Sequence, residues 1–552
     1  MSSFRVRRPD FWTFTTLIAF VTFGLFLVYP IVTLIISGFQ DSATGAWTMD
    51  HFTKFFSRRY YRRALTNSLL VTLVTTIITV FVAVPLAYFV TSFKVRWQRT
   101  VDILIIVSLL SPPFIGAYAW ILLFGRAGSV TRFLESTIGF EMPSIYGFNG
   151  IVMVFVLKLF PYLYLYAAGA LRKMDASIGE AAESLGASAF KKAVRVILPV
   201  TIPTILAGSV IVFMRAIADY GTPQLIGEGF ITMPVLIYNE FVGESGGSAN
   251  FAAAISIILM IMAGIVFWIQ NWLANRRKYL MSALNPATPK KLKGISNFLV
   301  HLFVYFLVFM ATLPQLTVIF NSFRKTQGVI FVPGFSLDSY RTVMRGLTRP
   351  IVNTFVFGII AMVFIIVLGV LVAYVSVRRS STITKILDMF IMFPYVIPGA
   401  VLGITLLLTF NRPPLMLMGT ATIIIVSYVV RRIPYTVRSS AAILHQINPN
   451  IEEAAVSLGS PPMKAFFAVT LRAMMPGVLS GAILSWVTVI NELSATLILY
   501  TGRTATLSVA IFSEVMRASF GTASALSTIL TVITVLSLVV FFKVTDSDEV
   551  SL

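Results

Sequence analysis

The 552-residue chain contains no cysteine and only three histidines. The lack of cysteine excludes disulfides, thiolate metal sites and cysteine nucleophiles, and His51, His301 and His445 do not have the spacing of metal ligands. The sequence also has no Gly-Lys dipeptide, which a phosphate-binding loop needs before its Ser or Thr. We therefore predict that the chain is not an enzyme, and that it binds no cofactor of its own.

Charged residues are scarce as well. They make up 12% of the chain, against 57% hydrophobic residues, and apolar stretches of about 20 residues recur along it. A soluble core of this size would need many more charges on its surface. Stretches of this length span the hydrocarbon as helices, because a helix satisfies its own backbone polar groups in lipid. The composition thus predicts an all-α polytopic membrane protein.

Hydropathy predicts about 12 transmembrane helices, six in each half. The first six lie near residues 12–38, 67–92, 101–124, 150–171, 201–225 and 251–274, and the second six near 297–321, 353–377, 386–411, 418–437, 477–500 and 522–543. Residues 275–296 are polar and basic, which is typical of a cytoplasmic linker. We therefore divide the chain into a first six-span domain, 1–274, and a second, 297–552.

The distribution of lysine and arginine predicts the orientation. Segments that lie inside when the amino terminus is inside carry more basic residues than the others, so both termini are expected in the cytoplasm. Arg5, Arg7 and Arg8 precede an apolar stretch that is too long for a cleaved signal peptide, and we expect a retained span there. Because this topology explains most of the net charge of +21, the charge does not imply nucleic acid.

One group of basic residues departs from this distribution. Lys54, Arg58, Arg59, Arg62 and Arg63 cluster in the first predicted external loop. Two interpretations remain open. The segment is either a surface helix that contacts lipid headgroups or a docking site for an acidic partner outside.

The chain contains an internal repeat. Residues 177–208 recur in altered form as residues 450–481, always 273 positions further on. Each copy contains the triplet Glu-Ala-Ala followed by a glycine, and these residues are Glu180, Ala181, Ala182 and Gly186 in the first copy and Glu453, Ala454, Ala455 and Gly459 in the second. Since each half has an even number of predicted spans, both halves insert the same way up, and the repeats are parallel.

The repeated pattern resembles the cytoplasmic loop signature of ABC importer permeases, the membrane subunits that a separate ATPase drives. The resemblance implies the type I permease fold, with coupling helices in loops 172–200 and 438–476 that enter clefts of two ATPase subunits. It also implies that those subunits use ATP-Mg, that an extracytoplasmic solute-binding protein is a further partner, and that the chain lies in the bacterial inner membrane. The second copy departs from the pattern, with Arg472 where the first has Pro199.

The residues of the repeated loop also predict its local structure. Ser177 and Glu180 have the spacing of a capping box, which recurs from Asn450, so a helix should start at each triplet. The alanines would leave one flank flat enough to enter a groove, and the glycine would permit a turn that a side chain would obstruct. Pro203 and Pro476 are expected at the start of the next spans, where a missing backbone donor is tolerated.

Charged residues within the predicted spans are a second candidate site, because such charges are costly in a membrane and indicate function by default. The candidates are Lys158, Arg215, Asp219, Arg431, Arg432 and Glu492. Lys158 matches Arg431 in the repeat, and Asp219 matches Glu492. The charges either surround the translocation pathway, where Asp219 and Glu492 would contact or gate the cargo, or form ion pairs that fix helix packing.

Residues 217–227 and 491–502 resemble the fifth-span signatures of fused permeases in the ferric iron group. The resemblance implies ferric iron as cargo, moved by alternating access, with thiamine, 2-aminoethylphosphonate and polyamines as alternatives. No metal site is firmly assigned, since a permanent site would need clustered oxygen ligands and the carboxylates in the predicted spans, such as Asp219 and Glu492, are few and scattered along the chain. A 12-span secondary transporter would also have two parallel halves, and a channel or scaffold is a further alternative, but neither needs paired loops.

Overall fold

The computed structural model describes residues 10–109, 113–243, 248–275 and 288–545 of the chain, and these residues are mostly helical. The amino-terminal arginines and most of the predicted linker at 275–296 lie outside the described residues. The predicted class, an all-α polytopic membrane protein with two repeats, is confirmed.

Ten helices in the described residues are long and apolar enough to cross a membrane, and they number up to 11 if one bent pair counts as a single span. The ten are Phe11–Gly38, Arg59–Ser92, Phe114–Ile138, Phe148–Arg172, Ala189–Ile217, Ala249–Ile269, Gly294–Ser322, Thr348–Arg378, Pro462–Ile490 and Phe520–Phe541. The bent pair is Thr382–Tyr395 with Gly399–Phe410, at 110°. The helix Ala421–Gln446 also has the length of a span, but three arginines make it less apolar.

Shorter elements connect these helices. The short helices include Asp50–Ser57, Gln98–Leu109, Ala176–Ser184, Gly221–Ile226, Met233–Val242, Asp338–Gly346, Asn450–Ser457, Thr496–Leu499 and Leu507–Met516. Two strands, β1 (Arg324–Gln327) and β2 (Ile330–Phe335), form an antiparallel hairpin. The third predicted span, 101–124, corresponds to two helices, Gln98–Leu109 and Pro113–Phe124, on either side of residues outside the description.

The chain forms two compact units that do not follow the division at 1–274 and 297–552. One unit comprises Met1–Thr48, Arg345–Ala510 and Val532–Leu552, and the other comprises Met49–Met344 and Ile511–Thr531. The first predicted span of each half therefore belongs to the unit that contains most of the other half. The sequence division stays a prediction about the repeat, whereas the compact units depend on which apolar surfaces pack together.

Aromatic contacts within each unit explain why the first span of one half packs with helices of the other half. Trp12, on the first span, stacks on Tyr374 with ring centroids 4.1 Å apart and meets the edge of Phe466 at 4.8 Å. In the other unit, Phe303 on the helix Gly294–Ser322 meets the edge of Phe89 at 5.7 Å. Aromatic pairs of this kind add about 0.5–1.5 kcal/mol to the free energy of burial.

Close helix packing explains one repeated glycine. A Cβ atom built on Gly208 would lie 2.7 Å from Leu163 Cδ1, and a Cβ atom on Gly481 would lie 2.7 Å from the Cα atom of Thr436. Small residues let membrane helices approach closely, and there van der Waals packing holds them together. Both copies of the repeat therefore pack the helix that follows the loop against the helix that precedes it.

The helices after the repeated loops differ from the prediction. They begin at Ala189 and Pro462, not near 201 and 477, so Pro203 and Pro476 lie inside helices and the predicted position of these prolines is wrong. One π-helical turn precedes each proline, at Ala193–Ile197 and Phe466–Thr470. A membrane helix tolerates an internal proline because neighbouring groups and local π adjustments satisfy the backbone carbonyl that it frees.

Candidate functional site

The repeated loops each carry one short helix. The first loop helix, Ala176–Ser184, is capped by Asp175, whose carboxylate accepts a hydrogen bond from the Ser177 amide at 2.9 Å. The second loop helix, Asn450–Ser457, has no side-chain cap from the residue before it. The predicted capping boxes are therefore wrong in both copies, because Ser177 and Asn450 lie inside the first helical turn.

A glycine ends both loop helices, with φ of +78° at Gly186 and +93° at Gly459. In the first copy the amide of Ala187 donates to the Ala182 carbonyl at 3.0 Å and that of Gly186 to the Glu183 carbonyl at 2.9 Å. This is the Schellman motif, and the second copy repeats it. A Cβ atom at either glycine would meet nothing within 4 Å, so the left-handed backbone requires glycine here, and the predicted obstruction of a side chain is absent.

The Glu-Ala-Ala triplets do not present both alanines to the outside. Glu180 and Glu453 are exposed, as are Ala181 and Ala454. The second alanine of each triplet packs inward, since Ala182 is buried and Ala455 is half-buried. The flat flank predicted from two alanines therefore consists of only one alanine in each copy.

Apolar residues at matching positions of the two loops are exposed, and the sequence interpretation did not include them among the site residues. Leu185 and Leu458 are each 89% exposed. Two further matching pairs on the same loops are also exposed, Ile178 with Ile451 and Phe190 with Met463. In each loop the three residues fall within 13 positions, 178–190 and 451–463, and contiguous exposed apolar groups mark interaction surfaces. The signal in the sequence was an apolar residue kept at the same place in two polar segments.

The two loops are fastened by different contacts. In the first, Glu183 accepts hydrogen bonds from Lys192 and, at 2.9 Å, from Lys290. The bond from Lys192, followed by that from Lys290, lowers the pKa of Glu183 to about 2. In the second loop, Glu452 accepts from the hydroxyls of Tyr374 and Thr470. Neither acid has an acidic counterpart in the other copy, so comparison of the repeats could not reveal them.

The intramembrane charges of the first half form an ion pair. Lys158 Nζ lies 2.5 Å from Asp219 Oδ2, and their side chains are 19% and 8% exposed. The other oxygen of Asp219 accepts from the amide of Thr222 at 2.8 Å. The guanidinium of Arg215 lies over the ring of Tyr162, 4.3 Å from its centroid, where it makes a cation–π contact.

The second half repeats this arrangement with two arginines. Arg431 Nη1 lies 2.6 Å from Glu492 Oε1, and Arg432 binds the other oxygen of the same carboxylate. Glu492 also accepts from the amide of Ala495 at 3.1 Å, and only 3% of its side chain is exposed. Thr222 and Ala495 occupy matching positions in the repeat, so both acids bind the backbone in the same way.

These contacts occur where a long helix ends. The preceding helices end at Ile217 and Ile490, before the ends predicted near residues 225 and 500. Each carboxylate lies just beyond, where it pairs with a base on the neighbouring helix and caps the next turn. This is the ion-pair interpretation of the sequence, and contact with cargo stays a prediction. Among the described residues, no group of three or more His, Asp or Glu side chains could hold a metal ion.

Comparison with known proteins gives one family. Residues 80–279 and 365–546 match the family described as binding-protein-dependent transport system inner membrane component. A ferric transport system permease protein, FbpB, of Actinobacillus pleuropneumoniae is 28% identical over 94% of this chain and 76% of its own length. The putative ferric transport system permease protein FbpB 1 of Haemophilus influenzae is 27% identical over 91% of this chain and 80% of its own length.

Two further similarities cover less of the chain. The putative 2-aminoethylphosphonate transport system permease protein PhnV of Salmonella typhimurium is 30% identical over 42% of this chain and 88% of its own length. A crystal structure of a bacterial ABC transporter involved in the import of the acidic polysaccharide alginate matches 48% of this chain and 94% of the compared chain, with a TM-score of 0.39 and 18% identity.

Proposed function

Since the chain belongs to the family of binding-protein-dependent transport system inner membrane components, we propose that it is the permease of an ATP-driven importer for ferric iron. The observation that carries the importer assignment is the pair of loop helices, each ended by a left-handed glycine and each exposing apolar side chains at matching positions. Iron as cargo is supported by the two ferric transport relatives, which match more than nine-tenths of the chain.

The exposed leucines are the proposed contacts for the ATPase. Leu185 and Leu458 follow the loop helices directly, where the Schellman turn fixes their position relative to the triplet. Burying a leucine side chain contributes about 1.5–3 kcal/mol, so loss of this contact at both loops should weaken ATPase binding measurably. Two similar loops then bind two ATPase subunits, which hydrolyse ATP-Mg, and both loops and both termini lie on the cytoplasmic side.

Transport proceeds by alternating access. A solute-binding protein delivers the cargo outside, and closure of the ATPase dimer moves the loop helices that it holds. The contact free energy at these helices must differ between the nucleotide-bound and nucleotide-free states, because an equilibrium shifts only by differential affinity. In the first half, the proline and π turn lie between the loop helix and the ion pair of Asp219, so this helix carries the motion toward the middle of the membrane.

A second cargo, 2-aminoethylphosphonate, follows from the relative that is 30% identical over part of the chain. Each half contributes two bases and one acid to its charged group, which leaves one net positive charge and would favour an anion. A direct measurement of uptake distinguishes the two candidate cargoes. Proteoliposomes with the cognate ATPase and binding protein would accumulate radioactive iron in the first case and radiolabelled phosphonate in the second.

The attachment of the ATPase is tested by Leu185→Asp with Leu458→Asp. We expect the double variant to insert normally, to lose ATPase binding in pull-down and to lose uptake, because a carboxylate cannot be buried in an apolar contact without a partner. Met416→Asp is the matched control, since Met416 is also exposed but lies in another loop. Normal uptake by the double variant would contradict the assignment of these loops.

A further inference from the structure

Four exposed arginines stand at the start of the helix Arg59–Ser92, and they have no part in the proposed coupling. We call Arg58, Arg59, Arg62 and Arg63 the basic cluster. None of the four forms an ion pair with an acid in the part of the chain that the structure describes. The amino-terminal turn of a helix favours acids, so the backbone does not compensate these charges either. Four like charges so close together favour the binding of an anion.

The segment before the basic cluster is held firmly. Phe55, on the helix Asp50–Ser57, is fully buried and stacks on Tyr61, whose ring meets the edge of Phe251 at 5.0 Å. Lys54 Nζ lies 4.0 Å from the centroid of the Phe251 ring. Lys54 is therefore engaged in a cation–π contact, while its carbonyl accepts from the amide of Arg58 at 3.3 Å. Phe56, on the same short helix, remains exposed.

The length of the following helix places the cluster at the membrane surface. Its 34 residues extend about 51 Å, whereas the hydrocarbon core is about 30 Å thick. The span predicted from the sequence begins near residue 67, so the arginines precede it by 4–9 residues, about 6–14 Å along the chain, which places them near the hydrocarbon edge in or beside the headgroup layer. Tyr60 is half-exposed between them, and tyrosine is enriched at this depth in membrane proteins.

The other half of the chain repeats two of the arginines. Arg345 and Arg349 follow Arg59 and Arg63 by 286 positions, the same offset that relates Asn353 to Asn67. Both are exposed; Arg349 lies in the first turn of the corresponding span, Thr348–Arg378, and Arg345 lies in the last turn of the preceding helix, Asp338–Gly346. Arg59 and Arg63 are four positions apart on one helix, so they share one face, whereas Arg345 and Arg349 lie on two consecutive helices that meet at Leu347.

We propose that the basic cluster, and the matching pair Arg345 and Arg349, bind the phosphate groups of anionic phospholipids such as phosphatidylglycerol. Guanidinium groups bind phosphate oxygens through two parallel hydrogen bonds, which suits an arginine pair on one face. The location at the hydrocarbon edge and the exposed tyrosine favour a lipid over an acidic protein. The inference holds whichever cargo the importer carries.

The test measures lipid retention by the full-length chain. Purified protein is placed in phosphatidylcholine nanodiscs that contain a minority of fluorescent phosphatidylglycerol, and the dissociation constant is obtained by titration. At about fivefold per arginine near a membrane surface, Arg59→Gln with Arg63→Gln should weaken binding about 30-fold. Arg59→Lys with Arg63→Lys should keep most of the affinity, because the charge remains.

Two further variants complete the design. Arg412→Gln removes one positive charge from an exposed loop and should change the affinity less than about twofold. Arg345→Gln with Arg349→Gln repeats the test at the second site, and it replaces the first variant should that variant fail to insert.

Three results would overturn the proposal. The first is equal binding of phosphatidylglycerol and phosphatidylcholine by the wild-type chain. The second is wild-type lipid affinity in both glutamine variants together with weaker binding of the solute-binding protein, which would identify an acidic protein as the ligand. The third is displacement of the lipid by inorganic phosphate at an equal concentration, which would identify a free anion site.

Discussion

Replacing Glu492 by glutamine should destabilise the protein more than replacing Asp219 by asparagine. Both changes keep the shape of the side chain and remove its charge. Glu492 compensates two guanidiniums whose side chains are only 15% and 11% exposed, whereas Asp219 compensates one ammonium. Breaking a buried ion pair by removing one partner costs about 3–5 kcal/mol. We expect Asp219→Asn near the lower end of that range and Glu492→Gln near the upper end.

The assay is the thermal unfolding midpoint of the purified chain in detergent, followed by size-exclusion chromatography of the heated sample. The expected order of midpoints is wild type, then Asp219→Asn, then Glu492→Gln. If Glu492→Gln proved as stable as Asp219→Asn or more so, the argument from the number of compensated charges would be refuted.

A fully apolar variant separates packing from transport. Combining Arg431→Met and Arg432→Met with Glu492→Leu removes all three charges of the second half, and such replacements of buried ion pairs are often neutral or stabilising by about 1–4 kcal/mol. Stability and uptake both near wild type would show that the charges serve helix packing. Wild-type stability with lost uptake would show that they act on the cargo or the gate.

Three further predictions concern single positions. Gly186→Ala and Gly459→Ala should each destabilise the folded loop by about 1–2 kcal/mol and reduce coupled ATPase activity, because alanine resists a positive φ. Asparagine at the same positions should restore much of the activity. Equal activity of the alanine and asparagine variants would contradict this prediction. The carboxylate of Glu183 should titrate near pH 2 in infrared difference spectra against Glu183→Gln. Because its pKa is depressed, its ion pairs stabilise the loop above about pH 4.5 and are lost as the pH falls toward 2. Titration near pH 4.5 would contradict the contacts with the two lysines. Gly399→Ala should lower the unfolding midpoint, because the new Cβ would collide with the guanidinium of Arg431 and lie 2.8 Å from the Cβ atom of Ser494. Gly264→Ala is the control and should not lower the midpoint, because a Cβ atom there meets nothing within 4 Å and alanine favours a helix.

The sequence predicted the parts of the loops that depend on local chemistry and failed at their boundaries. A repeated glycine after a short polar helix indicated a turn, and Gly186 and Gly459 both have positive φ. The capping boxes failed because several polar residues near a helix start can serve as the cap, and Asp175 does so in the first copy. Local spacing alone does not choose among them.

The intramembrane charges show the same division. The repeat related Asp219 to Glu492 and Lys158 to Arg431, and hydropathy placed all four in the membrane. Whether these groups pair or face a pathway depends on the rotation of two neighbouring helices, which the sequence does not express. The backbone amide of Thr222, which binds Asp219, could not be recognised either, because the helix was predicted to continue past it.

The sequence by itself determined the helical membrane class, the duplication and the two Glu-Ala-Ala loops, because each rests on composition or on a pattern of neighbouring residues. Only the tertiary structure decided that the first span of each half packs with most of the other half, since that depends on contacts such as Trp12 on Tyr374 between residues more than 350 positions apart. It also decided which apolar loop residues stay exposed. Burial is a property of packed surfaces, and an isolated segment carries no record of what will cover it.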